Sequence, residues 1–484
     1  MRTFAAWLVL LFILLGDVAA AQKADRSAPP VLGPPPQLRL GTIQHLNLLN
    51  GLPVLLYEKH TVPLVQMNLV IRAGAVNDPE KKPGLASITA AMMTEGAGPR
   101  DALALSEAID YLGAHLAVAA GYHTFAVSLN TPVARLDSAL SLMADVVLRP
   151  AFPPAELERK RQERLTTLLQ WRDEPGTLAS VMFSRLVYGV HPYGIPSIGT
   201  EQSLRSFTPE DLRRFHIAYF GPNTAALVVV GDVTARTLMP RLEAVFAKWK
   251  PVRPVQMQLP PIAQVAGRHV VLIDKPGAPQ SEIRIGCVGL PRRTDDYYNV
   301  IVMNTILGGS FTSRLNQNLR EKHGYTYGAG SRFDFRPLAG PFLAGAAVQT
   351  AVTDSSLVEF FSELKGILEP VPQKDLDRAR NYVALSFPGD FQTVGQIASQ
   401  MEDLFIYDLP DDTFNRYIDR ILGVSRDDVS RVAKKTLNPD AMVVVVVGDK
   451  AQIMQKIAGL NLGPLTIMSV DDVLGKAPSL GGSN

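Results

Sequence analysis

The chain has 484 residues, 46% of them hydrophobic and 19% charged, which is the composition of a globular protein and excludes a disordered or fibrous one. That length exceeds one ordinary core, so at least two domains are expected. A formal net charge of +2, with no basic run and no aromatic–basic interleaving, excludes the electrostatic footprint of a nucleic-acid binder.

Arg2 is followed by an apolar run from Phe4 to Leu15 and then by Ala19-Ala20-Ala21. This reads as a secretory signal peptide over residues 1–21, with a small-residue cleavage site near Ala21. The run is shorter than the ~20 residues a membrane-spanning helix needs, and no later stretch reaches that length. A periplasmic or secreted location is expected, with a Pro-rich arm over 22–37.

Residues 38–250 mix period-2 strands with amphipathic helices. Val65 to Arg72 and Phe125 to Asn130 read as strands, and Glu156 to Arg172 as a helix. Thr208-Pro209-Glu210-Asp211 opens another helix in a pattern close to a capping box. It runs to Gly221-Pro222-Asn223 and is followed by the apolar run Ala225 to Asp232. Pro251, Pro254, Pro260 and Pro261 then mark a linker over 251–267.

A second domain over 268–465 repeats these landmarks. Ser425-Arg426-Asp427-Asp428 opens a helix that runs to Asn438-Pro439-Asp440, ahead of Met442 to Asp449. Thr208 and Ser425 stand 217 residues apart, as do Gly231 and Gly448, so the halves are tandem copies. Residues 466–484 read as a tail ending in Gly-Gly-Ser-Asn. The order of elements specifies an α+β fold of two layer sandwiches, each with helices packed on a mainly antiparallel sheet.

Few residues offer chemistry. The single cysteine, Cys287, lies in the strand-like segment Glu282 to Val288 and rules out an intrachain disulfide; it reads as a buried, inert thiol. None of the eight histidines stands three or four residues from another. His115 and His123 share a hairpin with no carboxylate between them and read as structural, as does His191. No Gly-x-Ser-x-Gly elbow occurs, and Gly308-Gly309-Ser310 lacks the ending of a phosphate loop and reads as a turn between helices.

Three segments, Asn50 to Glu58, Arg72 to Ala75, and Gly84-Leu85-Ala86, resemble the insulinase/pitrilysin family of zinc peptidases, whose members carry the inverted motif H-x-x-E-H. The resemblance covers about residues 40 to 450 and implies that the chain forms half of a clam-like shell. It places the motif's two imidazoles and its glutamate on Ser87, Ala91 and Ala90, and the third metal ligand at Thr166 or Thr167, ahead of Arg172-Asp173-Glu174-Pro175. None of these can serve, so this chain is expected to bind no metal. Glu163, one turn earlier, reads as a solvated surface residue.

Leu319 to Gly328 resembles the family's second-half signature. That likeness implies that Arg320 and Tyr327 reach a peptide held at a partner's zinc. A guanidinium and a phenol are suited to this, since both donate to an oxygen that gains charge. The alternative is that Arg320 pairs with Glu321 or Asp334 and that Tyr327 packs. The resemblance therefore implies a noncatalytic subunit paired with a homologous H-x-x-E-H subunit that carries the zinc. The substrates would be short or unfolded peptides, captured by strand addition with the hairpin from Leu116 to Asn130 nominated for it. The other reading is a structural or peptide-binding scaffold of the same fold.

Overall fold

The computed structural model describes Gly33, residues 37–255 and residues 257–479. The expected signal segment, 1–21, and nearly all of the arm lie outside the described residues. The unit beginning at Gln37 is described below.

Two six-stranded sheets organise the unit. The first contains β1 (Gln44–Asn47), β2 (Pro53–Glu58), β3 (Leu64–Ile71), β6 (His115–Ala120), β7 (Phe125–Pro132) and β8 (Ala225–Gly231); a two-residue ladder, β4 (Gly96–Ala97) with β5 (Arg100–Asp101), stands apart. The second contains β9 (His269–Asp274), β10 (Gln280–Val288), β11 (Thr326–Phe333), β12 (Pro341–Gln349), β13 (Val443–Gly448) and β14 (Leu465–Met468).

The first sheet runs β1-β2-β8-β3-β7-β6 and the second β14-β9-β13-β10-β12-β11. To within one residue of the 217-residue displacement, β2, β3, β7 and β8 correspond to β9, β10, β12 and β13, so the two orders are one order. Most neighbours are antiparallel; β2 with β8, β9 with β13, and β9 with β14 are parallel. Only the inner edge differs in origin, since β1 comes from the start of the first copy and β14 from the end of the second.

The central strands explain how the copies meet. Every residue of β8 and of β13 is buried; β8 is a continuous apolar run and β13 is Val up to Gly448, the pattern of strands covered on both faces. One face is covered by the copy's own helices. Those over the first sheet include Leu85–Met93, Leu136–Leu148 and Pro209–Tyr219. The other face is covered from across the molecule. Helix Pro175–Tyr188 of the first copy packs on β10 and β13, and helix Val394–Ile406 of the second packs on β3 and β8. These helices also correspond under the 217-residue displacement. Each copy therefore seals its partner's sheet.

Local chemistry fixes the helix ends as the sequence specified. The Thr208 and Ser425 side chains each accept an N–H three residues on, from Asp211 and Asp428, whose carboxylates accept the cap residue's own N–H in return. Cys287 is buried in β10, where burial pushes its thiol up to about 12. The boundary drawn at 465/466 cuts through β14, and residues 466–474 are structured rather than a loose tail. Leu465 to Met468 pair in parallel with β9. A Ser469-capped turn of helix, Val470–Leu474, follows and buries Val473. Arg172 bonds to Asp471 and to the Gly475 carbonyl, and Arg185 to the Val473 carbonyl at 2.7 Å. Such cross-molecule anchors are invisible in a short, weakly patterned segment.

Candidate functional site

Helix Leu85–Met93 carries the positions of the missing motif. It starts at Gly84, whose φ of +92° favours glycine and whose missing Cβ would lie 2.7 Å from the Ile198 carbonyl oxygen and from the Gly199 Cα. Asp78 caps this start, its two carboxylate oxygens each accepting one N–H, from Gly84 and from Ala86, at 2.7 Å. Burial nevertheless pushes the Asp78 carboxyl up to about 7, against the pull of those N–H groups.

At the motif itself stand a hydroxyl and two methyl groups. Ala90 is buried and Ala91 half-buried. Ser87 meets Arg164 from helix Pro154–Trp171: Nη2 donates to the Ser87 carbonyl at 2.9 Å and to its Oγ at 3.1 Å, and Nη1 to the Ile198 carbonyl at 3.4 Å. Burial pulls the Arg164 guanidinium down to about 10, which leaves it charged at neutral pH. Thr166 is half-buried on the same helix, and the Thr167 hydroxyl donates to the Glu163 carbonyl at 3.0 Å. Glu163 itself is half exposed and pairs with Arg159 and Lys160. Hydrolytic zinc needs three lone-pair ligands. Here the ligand positions hold Ser87, Ala91 and Thr166 or Thr167, which offer no imidazole or carboxylate, and a guanidinium with no lone pair lies against Ser87, so these residues do not fit the metal. No group of three His, Cys, Asp or Glu suited to a metal occurs among the described residues.

The histidines resolve separately. His115 lies opposite Asn130 in the β6–β7 hairpin. His123 lies in the turn at its far end and bonds to the Tyr193 hydroxyl. His191 is fully buried, its Nδ1 accepting the Tyr193 N–H at 3.1 Å. Burial and nearby Arg336 lower both of the latter, His123 to about 4. Arg336 reaches over from the second copy, its guanidinium carbon 4.4 Å from the ring centres of both Tyr122 and Tyr193.

The second copy presents a different surface. Arg320 lies in the helical turn Gln317–Lys322 and Tyr327 at the start of β11, the outer edge strand. Thr326 opposes Val348 and Ala329 opposes Ala346, so three steps on β11 span two on β12 and the strand bulges at Tyr327-Gly328. Thr326 Oγ1 holds the bulge, donating to the Ala347 carbonyl at 2.6 Å and accepting the Gly328 N–H at 3.1 Å. Tyr327 is thereby turned outward, 92% exposed. The corresponding edge strand β6 pairs with β7 without such a shift.

Arg320 rests on the Phe311 ring at 4.4 Å and lies 3.2 Å from Glu321 without hydrogen-bond alignment, so its Nη1 makes no hydrogen bond. Of the two acids considered from sequence, Glu321 is the neighbour, while Asp334 pairs with Arg336 at 2.5 Å. Gly308 lets the 308–311 loop lie directly on β11, where a Cβ would strike the Gly330–Ser331 backbone. Phe311 and Tyr327 line a common basin of about 710 Å³, with Arg284 and Tyr382 on its walls. Sequence reasoning singled out Arg320 and Tyr327 and passed over Phe311, Arg164 and Asp78. An arginine one turn from a lost ligand position, and an aspartate shortly before Gly84, were the signals available.

Comparisons with known proteins agree with this architecture. A family model described as insulinase (peptidase family M16) matches residues 53–201, and one described as the peptidase M16 inactive domain matches residues 206–383. An uncharacterized zinc protease of Rickettsia felis is 25% identical over 334 residues, 69% of this chain and 80% of that protein. The non-peptidase homolog YmxG of Helicobacter pylori is 21% identical over 404 residues, covering 82% and 92%. Among solved structures, a peptidase M16 inactive domain from Pseudomonas fluorescens is similar with a TM-score of 0.79 and 28% identity, over 84% of this chain and 98% of that one. The periplasmic protease PqqL of Escherichia coli shares the fold at a TM-score of 0.72 and 16% identity; 92% of this chain matches 50% of it. The chain belongs to the M16 peptidase family, in a form that lacks the family's zinc-binding motif.

Proposed function

We propose that this protein is the noncatalytic subunit of an exported, heterodimeric zinc peptidase. Its partner is a homologous subunit that carries H-x-x-E-H and the zinc, and this chain supplies Arg320 and Tyr327 to the partner's site. The observation that carries the reading is the bulge at Tyr327-Gly328, which turns a phenol almost wholly into solvent at the outer edge of the second sheet. Bulges commonly re-aim side chains next to active sites, and both groups can donate to a developing oxyanion. Within this chain they have nothing to act on, since the motif positions of the first copy hold no metal ligand. The outer edge strand β6 offers a line of backbone for strand addition by short or unfolded peptides. Among the described residues no helix is long and apolar enough to cross a membrane, and export rests on the signal-like segment 1–21.

The test is reconstitution with a co-exported H-x-x-E-H homologue. The mixture should cleave unfolded peptides while neither chain alone does so. Arg320→Ala and Tyr327→Phe should each lower kcat on the order of 10²-fold with the complex unchanged by gel filtration. Full turnover by both variants would remove the assigned roles. A scaffold reading draws on the stacking of Arg320 on Phe311, a contact that packing alone explains. It expects peptide binding by calorimetry with no partner-dependent cleavage.

A further inference from the structure

We infer that Arg164 is a resident cation that stands where the family's metal would act, cross-linking the elements around the lost motif and barring divalent ions from it. The inference concerns this chain alone and does not depend on its having a partner.

The geometry is that of a staple. From helix Pro154–Trp171 the guanidinium spans to helix Leu85–Met93 through both polar atoms of Ser87, and to the 196–199 loop through the Ile198 carbonyl. A metal in this fold would join the same two helices, because its ligands are drawn from both. The planar fork makes that bridge with three acceptors and needs no imidazole. Two acids act electrostatically on Arg164: Glu163, and Asp78, which is fixed to the N–H groups of Gly84 and Ala86. The loop side is equally committed, since Gly84 and Gly199 approach too closely to admit a side chain at Gly84.

Two consequences follow. The wild-type fold owes nothing to zinc at this position, so a chelator leaves its thermal transition unmoved. More tellingly, restoring ligands does not restore the site. Histidines introduced four residues apart on one helix face normally hold a transition metal. Here the histidine at position 87 would face a half-buried positive charge at hydrogen-bond range, and the repulsion on a dication is twice that on a single charge.

The experiment places Ser87→His with Ala91→His in two backgrounds, one retaining Arg164 and one carrying Arg164→Gln. Glutamine keeps an amide donor for the backbone carbonyl of position 87 while removing the charge. Cobalt(II) is titrated against each, followed by its visible absorption and by competition with a chelator. The expected result is at least ~100-fold tighter cobalt binding with Arg164→Gln. Equal affinity in the two backgrounds overturns the inference, and so does failure of both to bind while circular dichroism shows both folded. Should Arg164→Gln not fold, Arg164→Met supplies the uncharged background. Thermal melts of otherwise wild-type protein complete the test: Arg164→Lys, which keeps the charge without the fork, should melt several degrees lower, and an unchanged transition refutes the staple.

Discussion

The two helix-on-sheet contacts that join the copies are equivalent in topology and differ in chemistry. Helix Pro175–Tyr188 meets the second sheet mainly through an apolar cluster in which Leu178, Met182 and Phe183 pack with Val271, Val443 and Val445, with only its first turn, at Gly176, lying on the Glu282–Arg284 ion pair. Helix Val394–Ile406 also presents apolar residues, Ile397 and Met401, but sets Glu402 against a polar ladder on the first sheet. Asn68 donates to Glu402; Gln66 donates to Asn68 at 2.6 Å and to Ser128 at 2.7 Å, and Asn130 donates to Gln66 at 2.9 Å. Duplication thus conserved the placement of the helix and not the means of holding it. An apolar contact draws its strength from area removed from water, whereas a buried polar one adds little net stability yet punishes any unpaired group.

That contrast can be broken in order of effect. Phe183 is 2% exposed, and its ring so overlies Gly286 that a Cβ there would lie 3.0 Å away. Phe183→Ala should cost about 4 kcal/mol, read from the midpoint of urea unfolding; a loss below about 1 kcal/mol would show that this contact is not the strong one. Arg336→Ala removes the cation seated between Tyr122 and Tyr193 and should cost about 2 kcal/mol, in the same assay.

The polar contact should instead show itself in pH. Burial pushes Glu402 up to about 7 and Asp403 up to about 6, so the folded state holds these protons more tightly than the unfolded chain does. The associated stability is complete below the ordinary carboxylate range and drains away as pH rises toward 7. Glu402→Gln should therefore flatten the decline between pH 5 and pH 8 and be more stable at the upper end, on the order of 1 kcal/mol. Parallel curves for variant and wild type would contradict this. The smallest effect is expected at the rim, where Arg72 pairs with Asp408 and lies 4.3 Å over Phe405. Because that side chain is 44% exposed, Arg72→Ala should cost no more than about 0.5–1 kcal/mol and lose most of that in high salt.

The repeat was legible because its landmarks are local. Caps at Thr208 and Ser425, and Val runs at β8 and β13, declare themselves within a dozen residues. The reciprocal covering was not legible, since nothing within Pro175–Tyr188 names a sheet a hundred residues away. The site divides along the same line. Arg320 and Tyr327 lie in one short stretch, whereas the bulge that exposes Tyr327 depends on its register against β12, and the Arg164–Ser87 bridge joins residues far apart in the chain.

The exchanged helices also bear on how the protein could be cut. Nicking the linker between the copies leaves each fragment threaded into the other through its own sealing helix, so the fragments should migrate as one particle. Either fragment produced alone would show a bare, valine-rich sheet face together with an unseated helix. That is the profile of an aggregation-prone polypeptide rather than of a free-standing domain.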